Sequence, residues 1–238
     1  MRIICFGDSV TRGISYIRGR LRIQKENYPA LLQTAFAVDD DVEVVNKGVF
    51  NDNSDLLVLR MEDDVVAARP DYVLIEIGGN DCNFRWGEVA SAKDEEHEPI
   101  VPLDRYLVNL QKMVERMRQE GATPILMNLL PLDPVRYYNH IYQQHGSNVA
   151  HWIACCGGIE HWHGLYNRAL VQLVSRLNVL TIDVRTAFKQ AADFSVLLSD
   201  DGIHPTVAGY RVMAKTVATA FTQFVGAKAA SSLPFAEL

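Results

Sequence analysis

The sequence predicts an α/β sandwich in which a parallel sheet is covered by helices on both faces. Three observations predict it. Short apolar runs of strand length alternate with longer stretches of helical periodicity along the 238 residues. The strand candidates are apolar throughout rather than alternating, the pattern of strands buried on both sides. The helical stretches between them are long enough for right-handed crossover connections. No internal repeat and no Pro/Gly/Ser linker divides the chain, so one domain is expected over residues 1–225, with a small, polar tail at 226–238.

Taken in order, residues 3–6 form an apolar run that stops at Gly7-Asp8-Ser9, a buried strand followed by a loop. Residues 28–36 have helical spacing, with Pro29 suited to a first turn. A second strand at 42–45 ends at Asn46-Lys47-Gly48, and Asp52 is placed to cap a helix running to about residue 68. The third strand, 72–77, ends at Gly78-Gly79-Asn80-Asp81. Residues 103–120 are amphipathic, with Leu107, Leu110, Met113, Val114 and Met117 on one face and Gly121 as a stop. A fourth strand spans 124–130, a helix 164–177, a fifth strand 179–182 and a last helix 206–225. The segments 83–102 and 133–163 are too long for plain connections. Such segments tend to be binding loops, and the second is expected to be a lid-like insertion.

Composition narrows the classes. Hydrophobic residues make up 48% and charged residues 22%, which excludes a disordered or low-complexity chain. The net charge of −6 excludes an overall basic footprint for nucleic acid, so no nucleic-acid partner is expected. No apolar stretch approaches ~18 residues, so no stable membrane insertion is expected. The run before Gly7 is too short for the core of a signal peptide, and Cys5, Cys82, Cys155 and Cys156 match no disulfide framework. A cytoplasmic location is the expectation from these features.

In open α/β sheets, ligands collect at the carboxyl ends of the strands. Four segments fall there or are expected to fold near there: Gly7-Asp8-Ser9, 48–51, 78–81 and 201–204. A serine hydroxyl is a weak nucleophile that needs a base. His204 supplies one in Asp201-Gly202-Ile203-His204-Pro205, where a carboxylate three residues before an imidazole can reach its Nδ1–H and leave Nε2 for the serine proton. Asn80, after two glycines, can donate an amide N–H to a developing oxyanion beside the Ser9 backbone N–H. Seen singly, each block also reads as an ordinary turn, a helix cap or an Asx turn.

Together, the blocks 7–9, 78–81 and 201–205 resemble those of the SGNH hydrolases, the GDSL esterase/lipase family, and the resemblance spans roughly residues 1–225. It implies a flavodoxin-like three-layer fold with a five-stranded parallel sheet, no cofactor and an ester as small-molecule substrate. It also implies Ser9 as nucleophile, His204 as base, Asp201 as its orienting partner and Asn80 as an oxyanion donor. One block departs from the family pattern. Where the family carries a glycine whose N–H completes the oxyanion hole, the register here puts Asn51, with Gly48 as the alternative. The resemblance leaves the acyl group open between a small-acyl, carbohydrate-type esterase and a lysophospholipase or thioesterase. A non-catalytic ligand-binding member of the same fold is a further alternative.

Two more features stand apart. Arg12, Arg18, Arg20, Arg22 and Lys25 form a basic run that reads either as a solvated face or as a site for an anionic group on the substrate. The segment with His151, Cys155, Cys156, His161 and His163 fits no usual zinc spacing. With Tyr137, Tyr138, Tyr142, Trp152 and Trp162 it reads better as an aromatic wall over the serine, so no metal is expected. The sequence does not define an oligomeric state.

Overall fold

The computed structural model describes residues 1–36 and 42–231; the acidic triplet Asp39-Asp40-Asp41 lies outside the described residues. The strands are β1 (Arg2–Gly7), β2 (Ile14–Ile17), β3 (Arg20–Ile23), β4 (Glu43–Gly48), β5 (Tyr72–Glu76), β6 (Thr123–Met127) and β7 (Leu180–Ile182). The helices are α1 (Ser9–Arg12), α2 (Tyr28–Phe36), α3 (Ser54–Asp64), α4 (Trp86–Ser91), α5 (Leu103–Gln119), α6 (Pro134–His145), α7 (Val149–Cys155), α8 (Ile159–Leu177), α9 (Val184–Lys189) and α10 (Val207–Ser231).

Five strands make one parallel sheet in the order β4-β1-β5-β6-β7. Its side chains alternate between two cores. Ile4, Phe6, Val73, Ile75 and Leu126 pack under α3, α5 and α8, against Leu57, Leu110, Met113 and Leu170. Ile3, Cys5, Leu74, Ile125 and Met127 face the other way, against Leu32, Phe188, Tyr210, Met213 and Val217 of α2, α9 and α10. Each such Leu, Ile or Phe, being almost wholly buried, contributes about 1.5–3 kcal/mol to folding. The five apolar runs of the sequence thus become the central layer of a three-layer α/β/α sandwich. The order reverses at β1, so the crevice between the ends of β1 and β5 is where a ligand is expected.

Several boundaries differ from the sequence reading. Asn53, not Asp52, caps α3: its side chain accepts the Leu56 N–H at 3.2 Å, and the helix ends at Asp64 before a separate 3-10 turn, Val66–Ala68. Ahead of the predicted start at 164, α8 begins at Ile159, immediately after Gly158 at φ 99°. The backbone of α10 continues past 225 to Ser231, so part of the expected tail is helical; residues 232–238 lie outside the described residues. The segment 133–163 is not a loop but α6, α7 and the first turn of α8, which share a small core of Leu132, Tyr137, Ile141 and Val149. Asp133 caps α6 by accepting the Val135 and Arg136 N–H groups, and Pro134 occupies the first helical position.

The centre of the basic run, Arg18, Arg20 and Arg22, lies in a β-hairpin, while Arg12 ends α1 and Lys25 follows β3. Arg18 (φ 51°) and Gly19 (φ 75°) form a two-residue turn of the primed kind, and β2 pairs antiparallel with β3. The side chains of β3 are exposed along its whole length. No helix among the described residues is long and apolar enough to cross a membrane.

Candidate active site

The tight turn after β1 is fixed by its own side chain. Asp8 caps α1, its Oδ1 accepting the Val10 N–H at 2.9 Å, and Gly13 closes the helix in the left-handed region at φ 97°. Packing then presses α1 onto β4. A Cβ on Gly48 would lie 2.1 Å from the Arg12 nitrogen, so only glycine permits that contact. Ser9 is thereby presented, 6% exposed, at the carboxyl end of the sheet.

From the far end of the chain, the turn before α10 delivers the imidazole. Asp201 Oδ1 accepts the backbone N–H groups of Ile203 and His204, both at 3.2 Å. Its Oδ2 lies 2.6 Å from His204 Nδ1, and His204 Nε2 lies 2.9 Å from Ser9 Oγ. All three residues are buried. The neighbouring Asp200 instead accepts the Arg18 N–H at 2.8 Å, so Asp201 is the carboxylate that faces the imidazole. Residues 195 positions apart are joined in one hydrogen-bonded line.

Asn80 sits beside them. Its amide donates one N–H to the Asp52 carbonyl at 2.7 Å and approaches Asp8 Oδ2 at 3.5 Å. Asp52 is in turn gripped by Arg60, whose Nε donates to Oδ2 at 2.6 Å. The same guanidinium donates to the Gly7 carbonyl at 3.0 Å and lies 4.5 Å from the centre of the Phe6 ring. Arg60 therefore ties α3, the Asn80 support and the end of β1 together. Sequence reasoning missed it; the signal was an arginine eight residues after Asp52, two helical turns into α3.

The two residues considered for the third oxyanion donor behave differently. The Gly48 N–H is already given to Asn46 Oδ1 at 2.8 Å. Asn51 stands at φ 64° in the turn closed by the Asp52 N–H to the Val49 carbonyl, the left-handed geometry that asparagine tolerates.

Ser9 and His204 open into a pocket of about 860 Å³, its mouth included. Its walls include Phe84, Trp86, Tyr137, Ile153 and Trp162, together with the turn 129–132 after β6. Of the five aromatic residues singled out in 133–163, Tyr137 and Trp162 line it. Tyr137 gives its hydroxyl to Asn83 Oδ1 at 2.6 Å, and Trp162 gives its indole N–H to the Cys82 carbonyl at 2.8 Å. Trp152 packs edge-on against Phe84, and Tyr142 is exposed. Phe84 and Trp86 come from the 83–102 segment, where no single residue carried a signal.

Cys156 also lines the pocket, but burial pushes its thiol up to about 11, which suits packing rather than attack. His163 is buried beside Arg185, and burial, then the cation, hold its imidazole down near 3, so it stays neutral. Cys155 is exposed, 3.7 Å from His151 on the same helix. Among the described residues no three His, Cys, Asp or Glu side chains converge as a metal site. None of Arg12, Arg18, Arg20, Arg22 and Lys25 lines the pocket.

Two carboxyls under the serine turn are held in unusual states. Burial pushes Asp8 up to about 7, despite its bond from the Val10 N–H and the nearby His204. Asp81, which accepts the Ser54 N–H at 2.9 Å, is raised by burial to about 6. For Asp8 the sign follows directly. Its ordinary value is 3.8, so below about pH 4 it is protonated whether the chain is folded or not. Between there and about pH 7 only the unfolded chain releases the proton, and stability falls as pH rises across that window. Asp8→Asn keeps the helix cap and removes the titration. It is expected to raise the melting temperature by several degrees at pH 8 and to leave it unchanged at pH 4, read by thermal unfolding of both proteins at the two pH values.

With this geometry in place, comparison with known proteins gives a consistent result. Residues 5–212 match the model of the GDSL-like Lipase/Acylhydrolase family. A Bacillus subtilis protein named uncharacterized lipoprotein YqeF is 27% identical over 220 residues, 89% of this chain and 85% of that protein. An acetylxylan esterase of Geobacillus stearothermophilus is 27% identical over 212 residues, covering 88% of this chain and 80% of the relative. Among solved structures, a lipase/acylhydrolase from Enterococcus faecalis superposes with a TM-score of 0.69 at 19% identity, over 93% of this chain and 95% of that one. A variant of the Geobacillus acetyl-xylooligosaccharide esterase Axe2 gives 0.66 at 25% identity, over 92% and 93%.

Proposed function

The chain belongs to the GDSL-like lipase/acylhydrolase family and is a carboxylic ester hydrolase, and on that premise we propose that Ser9 is its nucleophile, working through an acyl-serine intermediate. The observation that carries this reading is the His204 imidazole bridging Ser9 Oγ at 2.9 Å and Asp201 Oδ2 at 2.6 Å. Ser9 Oγ attacks the ester carbonyl while Nε2 accepts its proton; Asp201 holds the Nδ1–H and stabilises the imidazolium. The oxyanion meets the Ser9 backbone N–H, the first and so unpaired donor of α1, together with the Asn80 amide and the Asn51 N–H. Collapse breaks the C–O bond, and the alcohol leaves with the proton from Nε2. Water then attacks the acyl-serine with His204 again as base, and the acid departs.

For the substrate, a short acyl group on a carbohydrate-like alcohol is the reading favoured here. The Geobacillus relatives are named for acetylated xylan and its oligosaccharides. The rings of Trp86, Trp162 and Phe84, interrupted by the Asn83 amide, offer flat faces and polar edges that suit a sugar. With p-nitrophenyl esters, kcat/KM is expected to fall from acetate to octanoate. A profile that rises with chain length assigns the pocket to a lysophospholipase- or thioesterase-type acyl chain instead. A small-molecule ester is the partner this requires. The net charge of −6 favours no nucleic acid. Four free cysteines favour a cytoplasmic location, while the Bacillus relative is named a lipoprotein.

A further inference from the structure

One buried group in the pocket has no task in the chemistry above. Glu76 is the last residue of β5, paired in register with Gly7, and is 3% exposed. Among the pocket's lining residues it alone belongs to a strand; the others come from the loops and helices above the sheet edge. It therefore lies at the floor. Pleat alternation puts its side chain on the same face of the sheet as Leu74, towards α2 and α10. Two of the buried tyrosines on that face engage other groups: the Tyr28 hydroxyl pairs with Thr11 Oγ1 at 3.0 Å, and Tyr210 donates to the Ile14 carbonyl at 2.7 Å. Glu76 Oε2 is fully enclosed and has no hydrogen-bond partner among the described residues.

Leaving a buried polar group unpaired is destabilising, so a carboxyl of this kind lining a ligand pocket calls for a partner from the ligand. Burial, then the neighbouring Asp8 carboxyl, push Glu76 well above the usual carboxylate range, which favours the protonated form, a carboxyl that can both donate and accept. We propose that Glu76 is a specificity-determining residue, whose carboxyl at the pocket floor hydrogen-bonds an uncharged polar substituent, such as a hydroxyl, on the acyl part of the substrate. The acyl part is the one concerned because the alcohol must leave towards the mouth, while the acyl group remains on Ser9 above the floor. The proposal rests on the hydrolase reading and adds to it the chemistry of the acyl group.

The test compares kcat/KM for p-nitrophenyl β-hydroxybutyrate and p-nitrophenyl butyrate, because their ratio within one protein cancels any general effect on the catalytic groups. In the wild type the hydroxylated ester is expected to be favoured about tenfold, the value of one good hydrogen bond. Glu76→Gln keeps a donor and an acceptor and is expected to keep the preference. Glu76→Met keeps length and removes both; its ratio is expected to fall to about one, with a higher melting temperature because an unpaired polar group has left the core. Glu76→Leu serves the same purpose should the methionine variant not fold. A ratio unchanged between the wild type and the apolar variant overturns the proposal, as does a loss in Glu76→Gln equal to that in Glu76→Met. If the wild type cleaves p-nitrophenyl acetate but shows no preference, the Glu76 assignment alone fails. If it does not turn over the acetate ester, the hydrolase reading fails and the assignment falls with it.

Discussion

Ser9→Ala is expected to lower kcat for p-nitrophenyl acetate by roughly 10⁶-fold, the scale on which removing a serine nucleophile acts when serine, histidine and carboxylate work as one unit. The size of the effect follows from what remains. His204 Nε2 would still face the pocket but would have no hydroxyl to deprotonate. The oxyanion donors and the binding walls alone would leave roughly 10³–10⁴-fold over water. The fold is expected to survive, because the hydroxyl makes one bond, to His204 at 2.9 Å, and α1 is held by Asp8, Gly13 and the Gly48 contact instead. Kinetics together with thermal unfolding check both halves: activity at background and a melting temperature within a few degrees of wild type.

Asp201→Asn is expected to cost about 10⁴-fold in kcat with little change in KM. The reason lies in the two backbone donors. The Ile203 and His204 N–H groups both point at Oδ1, so an asparagine is forced to put its carbonyl oxygen there and its NH₂ towards His204. Nδ1 then has to accept, the ring proton moves to Nε2, and the imidazole can no longer take the serine proton. The geometry is preserved and the tautomer is wrong. A pH–rate profile of the variant is the discriminating measurement: activity is expected to return at high pH as hydroxide replaces the missing base, whereas a simple packing defect would depress the rate evenly.

How much of this was legible in the sequence depended on whether the signal was local. β1, β4, β5, β6 and β7 were legible because each is an apolar run cut off by a polar or glycine turn, and both faces of the sheet demand that pattern. Ser9 and Asn80 were legible for a related reason, since each follows such a run at the carboxyl end of a strand, whereas Asp201 and His204 stand in the turn before α10 and were legible from their mutual spacing. The β2–β3 hairpin leaves a weaker signal: Gly19 sits between two alternating runs, but Arg20 and Arg22 have the pattern of a charge run as much as that of the exposed half of a strand. The helix α6 was hidden in a segment read as a loop, yet Asp133-Pro134 is a cap followed by a first-turn proline.

The pocket walls were illegible for a deeper reason. Phe84, Leu130, Tyr137, Ile153 and Trp162 converge only through tertiary packing, and nothing in their spacing foretells it. Asp52 shows the same limit on a small scale. It was read as a helix cap, a local role, but the cap passed to Asn53 because Arg60 and Asn80 claim its carboxylate and carbonyl. Glu76 lies between these cases: its position at a strand end was visible, and its lack of a partner was not.

The central claim is that one hydroxyl, on Ser9, carries the covalent step. Reaction with a fluorophosphonate, followed by intact-mass measurement and peptide mapping, addresses it most directly. A single adduct per chain on the peptide containing Ser9, absent in Ser9→Ala, is the predicted result. An adduct on another residue, or a Ser9→Ala protein labelled as fast as wild type, would contradict it.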